Sequence, residues 1–288
     1  MNATSKDIVE DPNDRLEQDD HMRGMEHTEM TVGKVERPFP SVTRVTARIA
    51  PADPAPWRLP NLAIRIEVEA PEGQRPISRI YTIRSFDEAR GTVEVDFVMH
   101  EDESPAMRWL AQAGKDTVVT LTGPRPHYLP AWEAGRKVAV FADETAIPAV
   151  YSILQNWQAG VGGVVHIETA DRAAFEELPQ VAGVTLHLWL RAPGEAPGTT
   201  GRLVAAAKAL PEPDRWTIWA AGERQETRAI RRHFTEACGL PKENVRAAGY
   251  WRRGVSSSEL DRLRLRHYED VISRGGGLRD FEDLDVQI

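Results

Sequence analysis

The sequence has a single cysteine, Cys238, and lacks any long apolar run. One cysteine excludes an intramolecular disulfide, a cysteine-ligated iron–sulfur cluster and an all-cysteine zinc site. No stretch reaches the roughly 18 apolar residues that span a membrane, and the first residues lack the basic-then-apolar order of a secretory signal. We therefore expect a cytoplasmic protein that does not insert into a membrane.

Aromatic residues are absent from the first 38 residues, and acidic residues are concentrated at both ends of the chain. Residues 1–30 contain nine acids and three bases, and the last nine residues contain four acids and no base, so the net charge of −8 belongs to the two ends. An acidic segment without aromatic residues buries little apolar surface, which predicts a disordered acidic tail over 1–38. The rest of the chain shows no broad basic face, so we expect no nucleic-acid partner.

The sequence pattern changes near residue 130, which divides the 288 residues into two predicted domains. Residues 39–130 contain short alternating segments separated by turn residues, which predicts an N-terminal antiparallel β-barrel. Residues 131–254 alternate apolar strands with helical segments, which predicts a doubly wound parallel α/β domain. Residues 255–288 predict a helix followed by a second acidic tail. The expected fold class is therefore β + α/β with two domains.

Two motifs in the predicted barrel can hold a nucleotide. A strand places Arg79 and Tyr81 on one face and Thr82 on the other, and these side chains can pair with a phosphate, stack on a flat ring and bond to its edge. A second strand ends near His100 and leads to a helix start at Pro105, where free amides can bind pyrophosphate. The alternatives are an edge strand with exposed arginines and an ordinary loop with a surface histidine.

Two further motifs lie at the ends of predicted strands in the α/β domain. Asp143, Glu144 and Thr145 follow an apolar strand where a nucleotide phosphate can bind, although no glycine fingerprint is present. Alternatively, the two acids only cap a helix. Gly222 and Glu223 end another strand, and segment 249–254 combines aromatic residues with arginines, which suits a flat ring or an anion. Alternatively, the tyrosine and tryptophan of segment 249–254 have only a packing role, and its arginines are exposed.

Together these motifs resemble the siderophore-interacting protein family of FAD-dependent ferric-siderophore reductases. The matching stretches are 79–84, 96–100 with 105–109, 123–125, 143–149, 219–223 and 249–254. The resemblance implies FAD on the barrel, NADPH or NADH on the α/β domain, and a ferric siderophore at the mouth of the cleft. Because the flavin carries the chemistry in that family, no catalytic side chain and no resident metal site are implied. We expect the protein to be a monomer.

The resemblance also assigns cofactor-binding residues. For FAD they are Arg79, Ile80, Tyr81, Thr82, Asp96, Phe97, Val98, His100, Pro105, Ala106, Met107, Trp109 and Trp251. For NAD(P)H they are Asp143, Glu144, Thr145, Ala146, Gly222 and Glu223.

The family binds its anionic chelate with a basic cluster, which the resemblance carries over in part. Its two arginines map to Arg125 and Arg246, and Arg252 lies close to the second in sequence. The family's lysine falls near Ala63 here, so Arg65 is the candidate substitute. Two other functions stay open: a general NAD(P)H:flavin reductase, and a non-catalytic siderophore-binding flavoprotein.

Overall fold

The computed structural model describes residues 25–73, 76–99 and 103–275. Six antiparallel strands form a closed barrel in the order β1-β2-β5-β4-β3-β6. Their bounds are β1 Glu26–Phe39, β2 Val42–Ile49, β3 Leu62–Glu69, β4 Ile77–Asp87, β5 Thr92–Val98 and β6 Val118–Pro126. Alternate residues of each strand point inward and form one apolar core. Helix α1, Pro105–Gln112, lies between β5 and β6 in the chain.

The predicted disorder of residues 1–38 is wrong for residues 26–38, because they belong to β1. This strand pairs with β2 on one side and β6 on the other, and so completes the barrel. Met30 and Val32 are fully buried and anchor it to the core. Burial of aliphatic side chains is therefore enough to order this strand, although it contains no aromatic residue before Phe39. Residues 1–24 of the predicted tail lie outside the described residues.

Five parallel strands form the second domain in the order β11-β10-β7-β8-β9. Their bounds are β7 Lys137–Asp143, β8 Gly163–Thr169, β9 Val184–Leu190, β10 Trp216–Glu223 and β11 Val245–Trp251. The helices are α2 Ile147–Gln155, α3 Arg172–Glu176, α4 Arg202–Lys208 and α5 Arg224–Arg232. Separate apolar cores cover the two faces of the sheet. This confirms the predicted fold class, and strand order reverses between β7 and β10.

Four buried or half-buried charged groups join the two domains. Arg44 Nε donates to Asp96 Oδ1 at 2.6 Å, and its two terminal nitrogens donate to the Glu177 carboxylate at 2.8 and 2.9 Å. Arg84 lies 2.7 Å from Glu177 and 3.4 Å from Asp96, and its guanidinium sits 3.4 Å from the Tyr151 ring centroid. We call these residues the interdomain charge cluster. They fix the barrel against α2 and the end of α3.

The pKa values of the two arginines in this cluster are shifted in opposite directions. Burial opposes the charge on Arg44, but its hydrogen bonds to Glu177 and Asp96 outweigh that effect and raise its pKa. Burial also opposes the charge on Arg84, and there it prevails, so the pKa of Arg84 is lowered. Arg84 consequently depends on both nearby carboxylates to stay charged in the interior.

A last helix, α6 Ser257–Ser273, follows the second domain. Its N-cap is Ser256, whose hydroxyl accepts from the Glu259 amide, as the serine run of the sequence predicts. The predicted acidic tail beyond it, at 276–288, lies outside the described residues. Within the described part of the chain, no helix is long and apolar enough to cross a membrane.

Candidate functional site

The point where strand order reverses faces strand β4 of the barrel. Asp143 ends β7 and Glu223 ends the adjacent β10. From β11, the half-buried Tyr250 places its phenol beside the Thr82 side chain on β4, and burial raises the pKa of that phenol. Open α/β sheets bind ligands outside the carboxyl ends of their strands at such a reversal. The strand-order reversal, which carries predicted NAD(P)H residues, therefore lies opposite the barrel strand that carries Arg79–Thr82, and we call the space between them the cleft.

Asp143 organises the α/β side of this cleft. Its Oδ1 accepts from the Thr145 amide at 2.9 Å and the Thr145 hydroxyl at 2.5 Å. Its Oδ2 accepts from the Glu223 amide at 2.8 Å and from Trp251 Nε1 at 2.7 Å. Burial and the neighbouring charge of Glu144 raise the pKa of Asp143 to about 6. The structure thus places Trp251, a predicted FAD residue, in contact with the predicted NAD(P)H residue Asp143.

Gly222 and Glu223 each have a distinct local role. Gly222 has a φ of +146°, and a Cβ there would lie 2.6 Å from the Asp143 carboxylate, so a glycine is required. Glu223 Oε2 accepts from the amides of Gln225 and Glu226 at 2.6 and 3.0 Å and caps α5. The capping alternative for Asp143 and Glu144 holds for the Asp143 side chain, which caps the turn at Glu144–Ala146, whereas the Glu144 carboxylate pairs with Arg191. Their cofactor-binding roles stay predictions.

Additional acids surround this edge of the sheet, and two of them, Glu168 and Glu226, are not among the residues predicted from the sequence. Glu144 forms two hydrogen bonds of 2.6 Å with Arg191, which commits that arginine to an ion pair. Glu168, one residue before the end of β8, pairs in register with Asp143 and accepts from the Thr200 hydroxyl at 2.6 Å. Burial raises the pKa of Glu168, and burial with the charges of Glu168, Asp143 and Glu223 raises that of Glu226 to about 7. The edge is therefore rich in carboxyl groups, and Asp143 and Glu226 gain protons as the pH falls from 8 to 6.

The barrel side of the cleft carries the predicted FAD residues, and their side chains divide into two groups. Ile80 is exposed, and Arg79, Thr82, Val98, Pro105 and Met107 are half-buried. Phe97 and Ala106 are buried in the core, and Asp96 belongs to the interdomain charge cluster. Phe97 packs between Tyr81 and Trp109, with centroid distances of 4.2 and 5.4 Å. His100 lies outside the described residues.

The predicted basic cluster is partly assembled. Ala63 pairs in register with Arg125 on β6 and with Thr82 on β4, so the family's lysine position lies next to Arg125. Arg65 is two residues further along β3, exposed, and donates to the Ser78 hydroxyl at 3.1 Å. The guanidinium carbon of Arg246 on β11 lies 5.8 Å from the centroid of the Tyr128 ring. Tyr128 follows Arg125 by three residues. Arg252 follows β11 and bridges to Val255.

His127 packs against two tyrosines near the end of β6, and sequence reasoning did not single it out. The His127 ring lies 5.3 Å from Tyr128 and 5.8 Å from Tyr250, edge-on to both. Its amide donates to the Asn61 carbonyl at 3.0 Å, which fixes the segment after β6. The position of His127 two residues after Arg125 is the only signal in the sequence that could have found it.

Comparisons with known proteins agree with this layout. The family described as "Siderophore-interacting FAD-binding domain" matches residues 40–128, and the family "Siderophore-interacting protein" matches residues 135–254. The ferric acinetobactin reductase of Acinetobacter baumannii is 45% identical over 273 residues, 95% of either chain. The ferric vibriobactin reductase of Vibrio cholerae is 25% identical over 187 residues, 62% of this chain and 66% of that protein.

A solved structure gives the same result in three dimensions. The siderophore-interacting protein of Acinetobacter baumannii has 45% sequence identity and a TM-score of 0.82, over 86% of this chain and 99% of that chain. The matched residues include both sides of the cleft described above. The chain therefore belongs to the siderophore-interacting protein family.

Proposed function

We propose that this protein is an FAD-dependent NAD(P)H:ferric-siderophore oxidoreductase. The observation that carries the proposal is the shared cleft, where the phenol of Tyr250 on β11 lies beside Thr82 on the barrel strand β4. The names of two relatives, reductases of ferric acinetobactin and ferric vibriobactin, support the same reaction class. We also propose a cytoplasmic location and a monomeric state, which cell fractionation and light scattering test.

The residues of the barrel fit FAD. Arg79 uses two of its five N–H donors, toward the Ser78 carbonyl at 2.8 Å and the Ser258 hydroxyl at 2.7 Å, and its described hydrogen bonds involve no carboxylate. Its charge also helps to lower the pKa of Glu69, whose carboxylate accepts from Arg108 on α1 at 2.7 Å. Glu69 thus lies near both Arg79 and α1, and we propose that Arg79 and the start of α1 serve one diphosphate.

These positions give each set of residues in the cleft a separate proposed role. Bound FAD would supply the step from a two-electron hydride donor to a one-electron acceptor. Arg79 and the first turn of α1 would hold its phosphates, and Thr82 would face the ring. The edge formed by Asp143, Gly222 and Glu223 would position the nicotinamide nucleotide. Arg125 and Arg246 would attract the anionic ferric chelate to the mouth of the cleft.

The proposed function is tested with purified protein loaded with FAD under anaerobic conditions. We expect a flavin absorption spectrum, bleaching by NADPH or NADH, and recovery of the spectrum when a ferric catecholate or ferric hydroxamate is added, with Fe(II) captured by a specific chelator. Protein that cannot bind FAD would contradict the proposal. Faster turnover of free flavin than of ferric chelates would instead identify a general flavin reductase, and chelate binding without NAD(P)H oxidation would identify a non-catalytic binder.

Substituting the two arginines at the mouth tests the substrate site. Arg125→Ala and Arg246→Ala should each raise the KM for an anionic ferric chelate about fivefold, since each removes about 1 kcal/mol of charge attraction, and leave FAD content unchanged. The difference should shrink at high salt. Arg90→Ala is the matched control, because Arg90 pairs with Asp87 at an exposed position on the barrel. Equal KM values for all three variants would remove both arginines from the site.

The acidic edge predicts a pH dependence of nucleotide binding. Because the pKa of Asp143 is about 6 and that of Glu226 about 7, both groups gain protons as the pH falls from 8 to 6. Loss of negative charge beside an anionic diphosphate tightens binding. The Kd of NAD⁺, whose diphosphate keeps its charge in this range, should fall severalfold between pH 8 and pH 6. Titration calorimetry with Glu226→Gln should give a flatter profile, and an unchanged profile would contradict the assignment.

A further inference from the structure

The C-terminal helix α6 contacts the strand that carries the predicted FAD phosphate ligand. The Ser258 hydroxyl, in the first turn of α6, accepts from Arg79 Nη2 at 2.7 Å, although the two residues are 179 positions apart in the chain. The other described hydrogen bond of the Arg79 guanidinium is to the Ser78 carbonyl, on its own strand. Among the described residues, Ser258 is therefore the hydrogen-bond partner of this guanidinium from outside the barrel. It determines the direction in which the guanidinium points.

The opposite side of α6 is held by the α/β domain. Leu260 is buried, and Arg264 Nη2 donates to the Gly249 carbonyl at 3.1 Å. Gly249 lies next to Tyr250, the residue that reaches Thr82. Helix α6 therefore rests on β11 while its first turn touches β4, so that it connects the two sides of the cleft at a second place.

From these contacts we infer that α6 is part of the FAD site and that Ser258 is a positioning residue, which orients Arg79 for the cofactor phosphates. The inference rests on the proposed function, since it takes Arg79 as a phosphate ligand. A free arginine side chain has many rotamers, and ordering them on binding costs affinity. A hydroxyl that already holds one terminal nitrogen leaves the remaining N–H groups aimed at the ligand and reduces that cost.

The first turn of α6 provides a matched pair of variants. Ser257 and Ser258 are adjacent and of the same type, but Ser257 is exposed, whereas Ser258 is half-buried against Arg79. The cost of ordering one rotamer-rich side chain on binding corresponds to about a three- to tenfold change in a dissociation constant. Ser258→Ala should raise the Kd of FAD for the flavin-free full-length protein by that factor. Ser257→Ala should leave the Kd unchanged, and Ser258→Thr, which keeps the hydroxyl, should restore most of the affinity.

Fluorescence titration of FAD into each variant measures these constants, and a double-mutant cycle separates positioning from general packing. If Ser258 acts through Arg79, Ser258→Ala should have no further effect in an Arg79→Ala background. Full additivity of the two substitutions, or a Ser258→Ala protein that binds FAD as tightly as the wild type, would overturn the inference and leave the proposed function standing. Wild-type protein that takes up no FAD would overturn both.

Discussion

Asp96→Ala is expected to lower the free energy of unfolding by about 3–5 kcal/mol, the usual result of removing one member of a buried ion pair. The Asp96 carboxylate is almost inaccessible, at 3% exposure, and contacts Arg44 at 2.6 Å and Arg84 at 3.4 Å. Its removal leaves two guanidinium groups to share Glu177 alone. Because burial already lowers the pKa of Arg84, that charge becomes more costly still.

A matched control for this substitution lies in the same barrel. Asp87 also pairs with an arginine, Arg90, at 2.7 Å, but the arginine is 80% exposed and the carboxylate 38% exposed. Exposed ion pairs contribute about 0–1 kcal/mol, so Asp87→Ala should change stability little. Urea or thermal unfolding of both variants measures the difference. Equal losses of stability would show that the interdomain charge cluster contributes no more than a surface pair.

Gly222→Ala is expected to damage both stability and nucleotide binding. An alanine at a φ of +146° is strained by about 1–3 kcal/mol, and its Cβ would lie 2.6 Å from the Asp143 carboxylate. Asp143 now accepts hydrogen bonds from the Glu223 amide at 2.8 Å and from Trp251 Nε1 at 2.7 Å. Relief of the overlap would displace its carboxylate from both donors. We expect a lower Tm and a rise of more than tenfold in the Kd of NAD⁺.

Gly239→Ala separates backbone strain from this displacement. Gly239 also has a positive φ, +71°, but no atom lies within 4 Å of an added Cβ. Its replacement should therefore cost about 1 kcal/mol and leave NAD⁺ affinity unchanged. The displacement argument predicts that only Gly222→Ala weakens NAD⁺ binding in calorimetry, and two variants with equal affinity would refute it.

The repeating patterns of the sequence predict most of the fold, and they fail where packing is decided by distant partners. Alternation along 42–49 and 62–69 identifies strands because one face of each is buried, and the βα repeats identify the parallel sheet. The first barrel strand was missed because its burial depends on pairing with both β2 and β6, which lie at opposite ends of the barrel sequence.

The same limitation applies to the candidate site. Asp143 and Gly222 could be predicted, since both end apolar strands at an edge where ligands bind. Glu168, Arg191 and Glu226 could not, because their proximity to Asp143 depends on the strand order. Asp96 was assigned to FAD from its place in a motif, and its carboxylate is committed to Arg44 and Arg84. The cofactor-binding roles of the individual residues stay predictions.

The interdomain charge cluster limits how the two halves of this protein can be exchanged with those of relatives. The barrel supplies Arg44, Arg84 and Asp96, whereas Glu177 and Tyr151 come from the second domain. A barrel produced alone would expose Arg44, Arg84 and Asp96, which together carry a net positive charge, at the surface that the second domain now covers. A hybrid with a foreign second half would bury the same two arginines with Asp96 but without Glu177, unless an acid stood at that position. Shuffled or chimeric reductases built on this scaffold therefore need these five residues transferred as a set.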